Sequence, residues 1–147
     1  MPAPRPIHPD FLQLLELKDK ALVALFKDLR SYILDIYPDS IELLYHTHAL
    51  TAVFCVSEKL ADAFCMLPIY SNHVNFGFNK GTLLTDPHQL LTGTGKLIRH
   101  IPVSAPADYR NKKVKTLLQA AIDLAIADRE KLPTTVGKTI SKISIGK

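Results

Sequence analysis

No apolar run in the chain approaches the roughly 18 residues that a membrane-spanning helix requires. A spanning segment is therefore excluded on the sequence. The first ten residues, MPAPRPIHPD, carry prolines where a secretory leader has a basic and then an apolar stretch, so a cytosolic protein is expected. Cysteine is scarce as well. Cys55 and Cys65 fit neither zinc-ligand nor thioredoxin spacing, and in a reducing compartment they are expected as small buried residues with free thiols. Acid is missing from the end of the chain. Residues 1–130 hold fourteen Lys and Arg against fourteen Asp and Glu, whereas Lys131, Lys138, Lys142 and Lys147 follow with no acid among them. The net charge of +4 thus belongs to the tail, and a neutral domain lacks the footprint that phosphate-backbone binding demands.

Catalytic signatures are also wanting. Gly93 and Lys96 do not make a phosphate loop, because Thr92 precedes Gly93 and Leu97 follows Lys96. Neither flank of that stretch suits a dinucleotide fingerprint. There is no nucleophile elbow, and no pair of carboxylates at a recognisable spacing. Ser57 and Cys55 have nucleophilic chemistry but no local base in sequence. Binding is expected in preference to catalysis.

What is present reads as one domain over residues 1–132, irregular through residue 8, followed by a basic tail over 133–147. Residues 9–17 suggest a short helix. Leu22, Phe26, Leu29, Ile33 and Ile36 recur at spacings of three and four, which predicts an amphipathic helix over 19–37. Lys20, Lys27, Asp28, Arg30 and Asp35 fall toward water in that reading, and Pro38 stops the helix. The period then changes. Residues 41–47, 51–56, 61–70, 73–78 and 96–103 are short and rich in β-branched and aromatic residues, as strands are. Ser71-Asn72 suits a tight turn, and short connections favour antiparallel neighbours. A hairpin closing at 57–60 would set Cys55 near Cys65 on adjacent strands. Asp108 is read as the N-cap of a second long helix whose apolar face is Val114, Leu117, Leu118, Ala121, Ile122 and Ala125. Pro133 limits it. Beyond lies a segment that is either disordered, the preferred reading, or docked at 140–145 as an edge strand. The expected fold is α+β: a two-layer sandwich of about five antiparallel strands covered by N-terminal and C-terminal helices. The uncovered face would be solvated, form a groove, or meet a second copy in a homodimer.

One stretch is more particular than folding requires: HVNFGFNKGTLLTDPHQLLTGTGKLIRHIP, residues 73–102. Asp86-Pro87 can start a turn capping one helical turn, while Leu83, Leu84, Leu90 and Leu91 can pin the loop to the core. Gly93-Thr94-Gly95 is either a structural bend or an anion site with Lys96 and Arg99 as countercharges. His73 and His100 suit hydrogen bonds that hold the loop in shape. Asp86, Gly93, Gly95, Lys96, Arg99, His100 and His73 together form the candidate ligand surface. His46 and His48 would share a strand face, the geometry of a metal pair or of ordinary surface residues.

His-Val-Asn-Phe-Gly-Phe from His73, then Gly81, Leu84, Asp86-Pro87, Leu90-Leu91, Gly93-Thr94-Gly95-Lys96 and Arg99-His100-Ile101, resembles the signature of the YdhG-like family. The resemblance covers residues 15–130 and implies a small α+β domain, in most members of unknown function. One branch is described as frataxin-like iron chaperones, which implies carboxylates gathered on the first long helix and the neighbouring strand. Asp28, Asp35, Asp39 and Glu42 are the residues here that would serve, with Lys27 and Arg30 interrupting the acidic row. The leading expectation is a small-ligand or metal-binding accessory protein working through the loop at 81–99. An iron chaperone and a homodimeric interaction module stand behind it.

Overall fold

The structure, a computed structural model, describes residues 5–144. Among these, three helices and six strands make an α+β fold: α1 (Pro9–Leu15), α2 (Lys20–Ile36), β1 (Ile41–His46), β2 (Leu50–Cys55), β3 (Ala63–Ile69), β4 (Val74–Phe78), β5 (Arg99–Val103), α3 (Lys112–Asp128) and β6 (Thr139–Ser141). The sheet order is β5-β4-β3-β2-β1-β6. β1 to β5 form the expected antiparallel meander, while β6 runs parallel to β1 with Leu43 opposite Ile140. The sheet is therefore mixed and six-stranded, not five-stranded and antiparallel.

Part of the expected tail is the missing strand. The Glu42 N–H donates to the Lys138 carbonyl (2.9 Å), and the Lys142 N–H donates to the Leu44 carbonyl (2.8 Å). β1 would otherwise present a row of unpaired backbone groups, the hazard that edge strands carry. Three residues are too few to show a period, so composition alone gave disorder the preference there. The other end of the segment, Ile145, lies outside the described residues. At the opposite edge, Thr92 exchanges two backbone hydrogen bonds with His100 (2.8 and 3.0 Å), and Pro102 has no N–H to offer.

The helices pack on one sheet face. Phe26, Leu29 and Ile33 of α2 and Val114, Leu118 and Ile122 of α3 meet Phe54, Leu67, Phe76 and Phe78 in the main core. Each large apolar side chain fully buried there contributes about 1.5–3 kcal/mol. The Asp19 carboxylate caps α2 by accepting from the Ala21 and Leu22 amides, and the helix ends before Pro38. α3 is capped by Asn111 and not by Asp108. The Asp108 carboxylate instead closes the turn before it, accepting from the Ser104 and Ala105 amides, and those bonds lower its pKa. On the other face Ile41, Leu43, Val53, Cys55 and Ala63 form a second buried cluster. The two cysteines are free. They lie on adjacent strands, but Cys65 belongs to the main core and Cys55 to the second cluster. Burial pushes the Cys55 thiol up to about 12 and the Cys65 thiol up as well.

Arg30 departs from the amphipathic reading of α2. It is 5 % exposed, with its guanidinium bonded twice to Glu42 of β1 (2.8 and 2.9 Å) and to the carbonyls of Arg5 and Pro6. Glu42 also accepts from the Thr139 hydroxyl (2.8 Å). One buried ion pair thus joins the N-terminal arm, α2, β1 and β6.

Candidate functional site

β4 and β5 are joined by the long loop over residues 79–98, and its shape comes from its own hydrogen bonds. The Thr82 N–H and hydroxyl donate to the carbonyls of Leu97 (3.1 Å) and Lys96 (3.0 Å), which ties its two stems together. Asp86 does the same for its middle: one carboxylate oxygen accepts from the Leu90 N–H (2.9 Å) and the other from the Leu91 N–H (2.8 Å). The expected helical turn after Asp86-Pro87 does not form, because Gln89 adopts φ +53° and breaks the helical path. Leu84, Leu90 and Leu91 pack on the core as expected, whereas Leu83 is 61 % exposed, beside the exposed Leu97 and Ile98.

Gly93 and Gly95 are required by geometry. Gly93 sits at φ +121°, a conformation that L side chains rarely adopt, and a Cβ on Gly95 would come within 2.7 Å of the Ile98 carbonyl oxygen. Arg99 reinforces the bend, donating from Nε to the Gly95 carbonyl (2.9 Å), while Lys96 stays exposed. His100 faces Gly77 on β4 and bridges to Thr92 through its backbone. His73, at the far end of β4, stacks on Tyr70 (4.7 Å between ring centroids) and contacts Asn72 Oδ1 (2.7 Å). His73 lies four positions from Gly77, roughly 13 Å of strand, so the two histidines do not share a site.

The cavity at this loop lies at its other arm. Residues Thr85, Asp86, Pro87, His88 and Leu90 face Lys112, Lys113, Thr116, Leu117 and Ala120 of α3 across a space of about 520 Å³. Asp86 is the one expected ligand residue that lines it. The apolar wall is Pro87, Leu90, Leu117 and Ala120; the rim carries the exposed His88, Lys112 and Lys113. The helical side of this site escaped sequence reading. Its signal was the spacing of four through Lys112, Thr116 and Ala120, and through Lys113 and Leu117, which sets them on one helical stripe.

The wall made by α3 is held in place from α2. Asp28 accepts from Arg110 Nε (2.9 Å) and Nη2 (3.0 Å) and from the Tyr109 hydroxyl. Arg110 also lies over the Tyr32 ring, 5.2 Å from its centroid. The Arg110 guanidinium holds the Asp28 carboxyl below the ordinary carboxylate range, against an opposing desolvation and with lesser help from the Tyr109 hydroxyl. Burial, and then the neighbouring carboxylate, push the Tyr109 phenol up.

The four carboxylates named for iron are therefore dispersed in role. Asp28 is bonded to Arg110 and Glu42 to Arg30, while Asp35 and Asp39 are exposed. His46 ends β1 and His48 lies in the following hairpin loop, both exposed. Among the described residues no three His, Cys, Asp or Glu gather as a metal-binding group. None of the described helices is long and apolar enough to cross a membrane.

Compared with protein-family models, with curated proteins and with solved structures, the chain matches none.

Proposed function

We propose that this protein acts by binding a small molecule between the loop at residues 85–90 and the first half of α3. The observation that carries the reading is the cavity itself. At about 520 Å³ it falls within the size range of small-molecule sites, and it combines an apolar wall with a few polar groups at one rim. Both walls are fixed before any ligand arrives: Asp86 ties the loop to itself, and the Arg110–Asp28 pair ties the start of α3 to α2. Preorganised walls reduce the ordering cost of binding. Binding without turnover is favoured by the lining, where the Thr116 hydroxyl is spent on the Lys112 carbonyl (2.9 Å). In this reading the loop at 81–99 remains the working segment. Within it the site shifts from Lys96 and Arg99 to the arm that starts at Asp86.

Thermal-shift screening of a chemically varied fragment set against the parent and an Ala120→Phe variant tests this. Fragments that raise the melting temperature of the parent and leave the filled variant unmoved are expected. A set in which no fragment distinguishes the two proteins contradicts the proposal.

A further inference from the structure

The charge around the cavity selects among ligands. Asp86 is the acidic group in the lining, and each of its oxygens accepts from one loop amide, that of Leu90 or Leu91. Lys112 and Lys113 are exposed on the opposite wall, and among the described residues neither has a carboxylate within ion-pair distance. Two ammonium groups without an ion-pair partner, against the single carboxylate of Asp86, stand above Pro87, Leu90, Leu117 and Ala120 and complement a molecule that is apolar along its body and negative at one end.

Resting on the cavity reading above, we propose that the ligand is an organic monoanion, an aryl or short-chain aliphatic carboxylate or its chemical equivalent. Its anionic head meets Lys112 and Lys113, and its hydrocarbon part lies on Leu90, Leu117 and Ala120. A neutral apolar molecule would fill the same space without a partner for the lysines. A multiply charged, fully polar anion such as inorganic phosphate would leave the apolar wall uncovered.

Two fluorescent probes of nearly the same shape separate charge from apolar fit. 8-Anilinonaphthalene-1-sulfonate is anionic, and N-phenyl-1-naphthylamine is its neutral counterpart. Each is titrated into the full chain, into a Lys112→Gln/Lys113→Gln variant, and into Ala120→Phe and Thr116→Phe variants. The second filled variant, at an exposed position, covers the case in which Ala120→Phe does not fold. The sulfonate is expected to bind the parent about tenfold more tightly than the amine, as one charge-assisted contact provides. That preference should vanish in the lysine variant, and both probes should be lost from a filled variant that melts like the parent. Equal affinity of the two probes in the parent, with both displaced by filling, overturns the monoanion and leaves the cavity reading standing. Failure of both probes to bind, or binding indifferent to filling, overturns the cavity reading and the inference together.

Discussion

Arg30 stands four residues after Phe26 and three before Ile33, within the apolar stripe of α2, yet charge alone assigned it to water in the sequence. Its partner Glu42 lies twelve positions on, in another element, and no local pattern announces the pair. Removing one member strands the other. Glu42→Leu is expected to lower unfolding free energy by about 3–5 kcal/mol in urea titrations, and Arg30→Met/Glu42→Leu to recover most of it. A loss under about 1 kcal/mol for the single variant would mean that the pair behaves as a solvated surface bridge. Asp28 makes a different prediction. Its folded pKa is depressed by Arg110, so its contribution is fully present above the unfolded carboxylate value of about 4 and is lost as pH falls through the folded value. Asp28→Asn should flatten the decline of melting temperature on that acid limb. An unchanged limb would show that Arg110 does not stabilise the carboxylate in solution. The same bonds account for Asp28 as a fixture between α2 and the turn that leads into α3, a role its place in an acidic row did not suggest.

Among the elements, the long helices and the meander were legible because their periods of 3.6 and 2 repeat often enough to be seen. Helix α3 shows every one of its six expected core positions buried. What escaped were features made by single contacts. β6 is three residues long, and the 85–90 arm has no period at all. Deleting residues 138–147 should uncover the edge of β1 and take Thr139 away from Glu42, so light scattering is expected to show self-association together with a lower melting temperature. A truncated chain that stays monomeric and melts as before would deny β6 its covering role. For the loop, Asp86→Ala removes the acceptor of two amides. Native-state hydrogen exchange at Leu90 and Leu91 should then be easier by about 1.5–3 kcal/mol, the worth of hydrogen bonds to a charged group. Unchanged protection would mean that packing of Leu90 and Leu91 alone holds the arm.

For the whole molecule, the proposed working surface depends on distant parts of the chain meeting. The Asp86 end of the loop was marked in the sequence by its turn chemistry, and α3 by its apolar face. Their apposition is a tertiary fact, carried by the β4–β5 stem on one side and the Asp28–Arg110 bond on the other. Lys96 and Arg99 drew attention because basic residues beside glycines suggest a bend or an anion site; Gly93 and Gly95 serve a bend that Arg99 helps to close. The proposed ligand therefore lies against α3 and not against the glycines. Amide chemical-shift mapping during titration with 8-anilinonaphthalene-1-sulfonate tests this most directly. Saturable shifts confined to Thr85, Asp86, His88, Leu90, Lys112, Lys113, Thr116, Leu117 and Ala120 are predicted. Shifts centred on Gly93, Gly95, Lys96 and Arg99, with α3 silent, would contradict it.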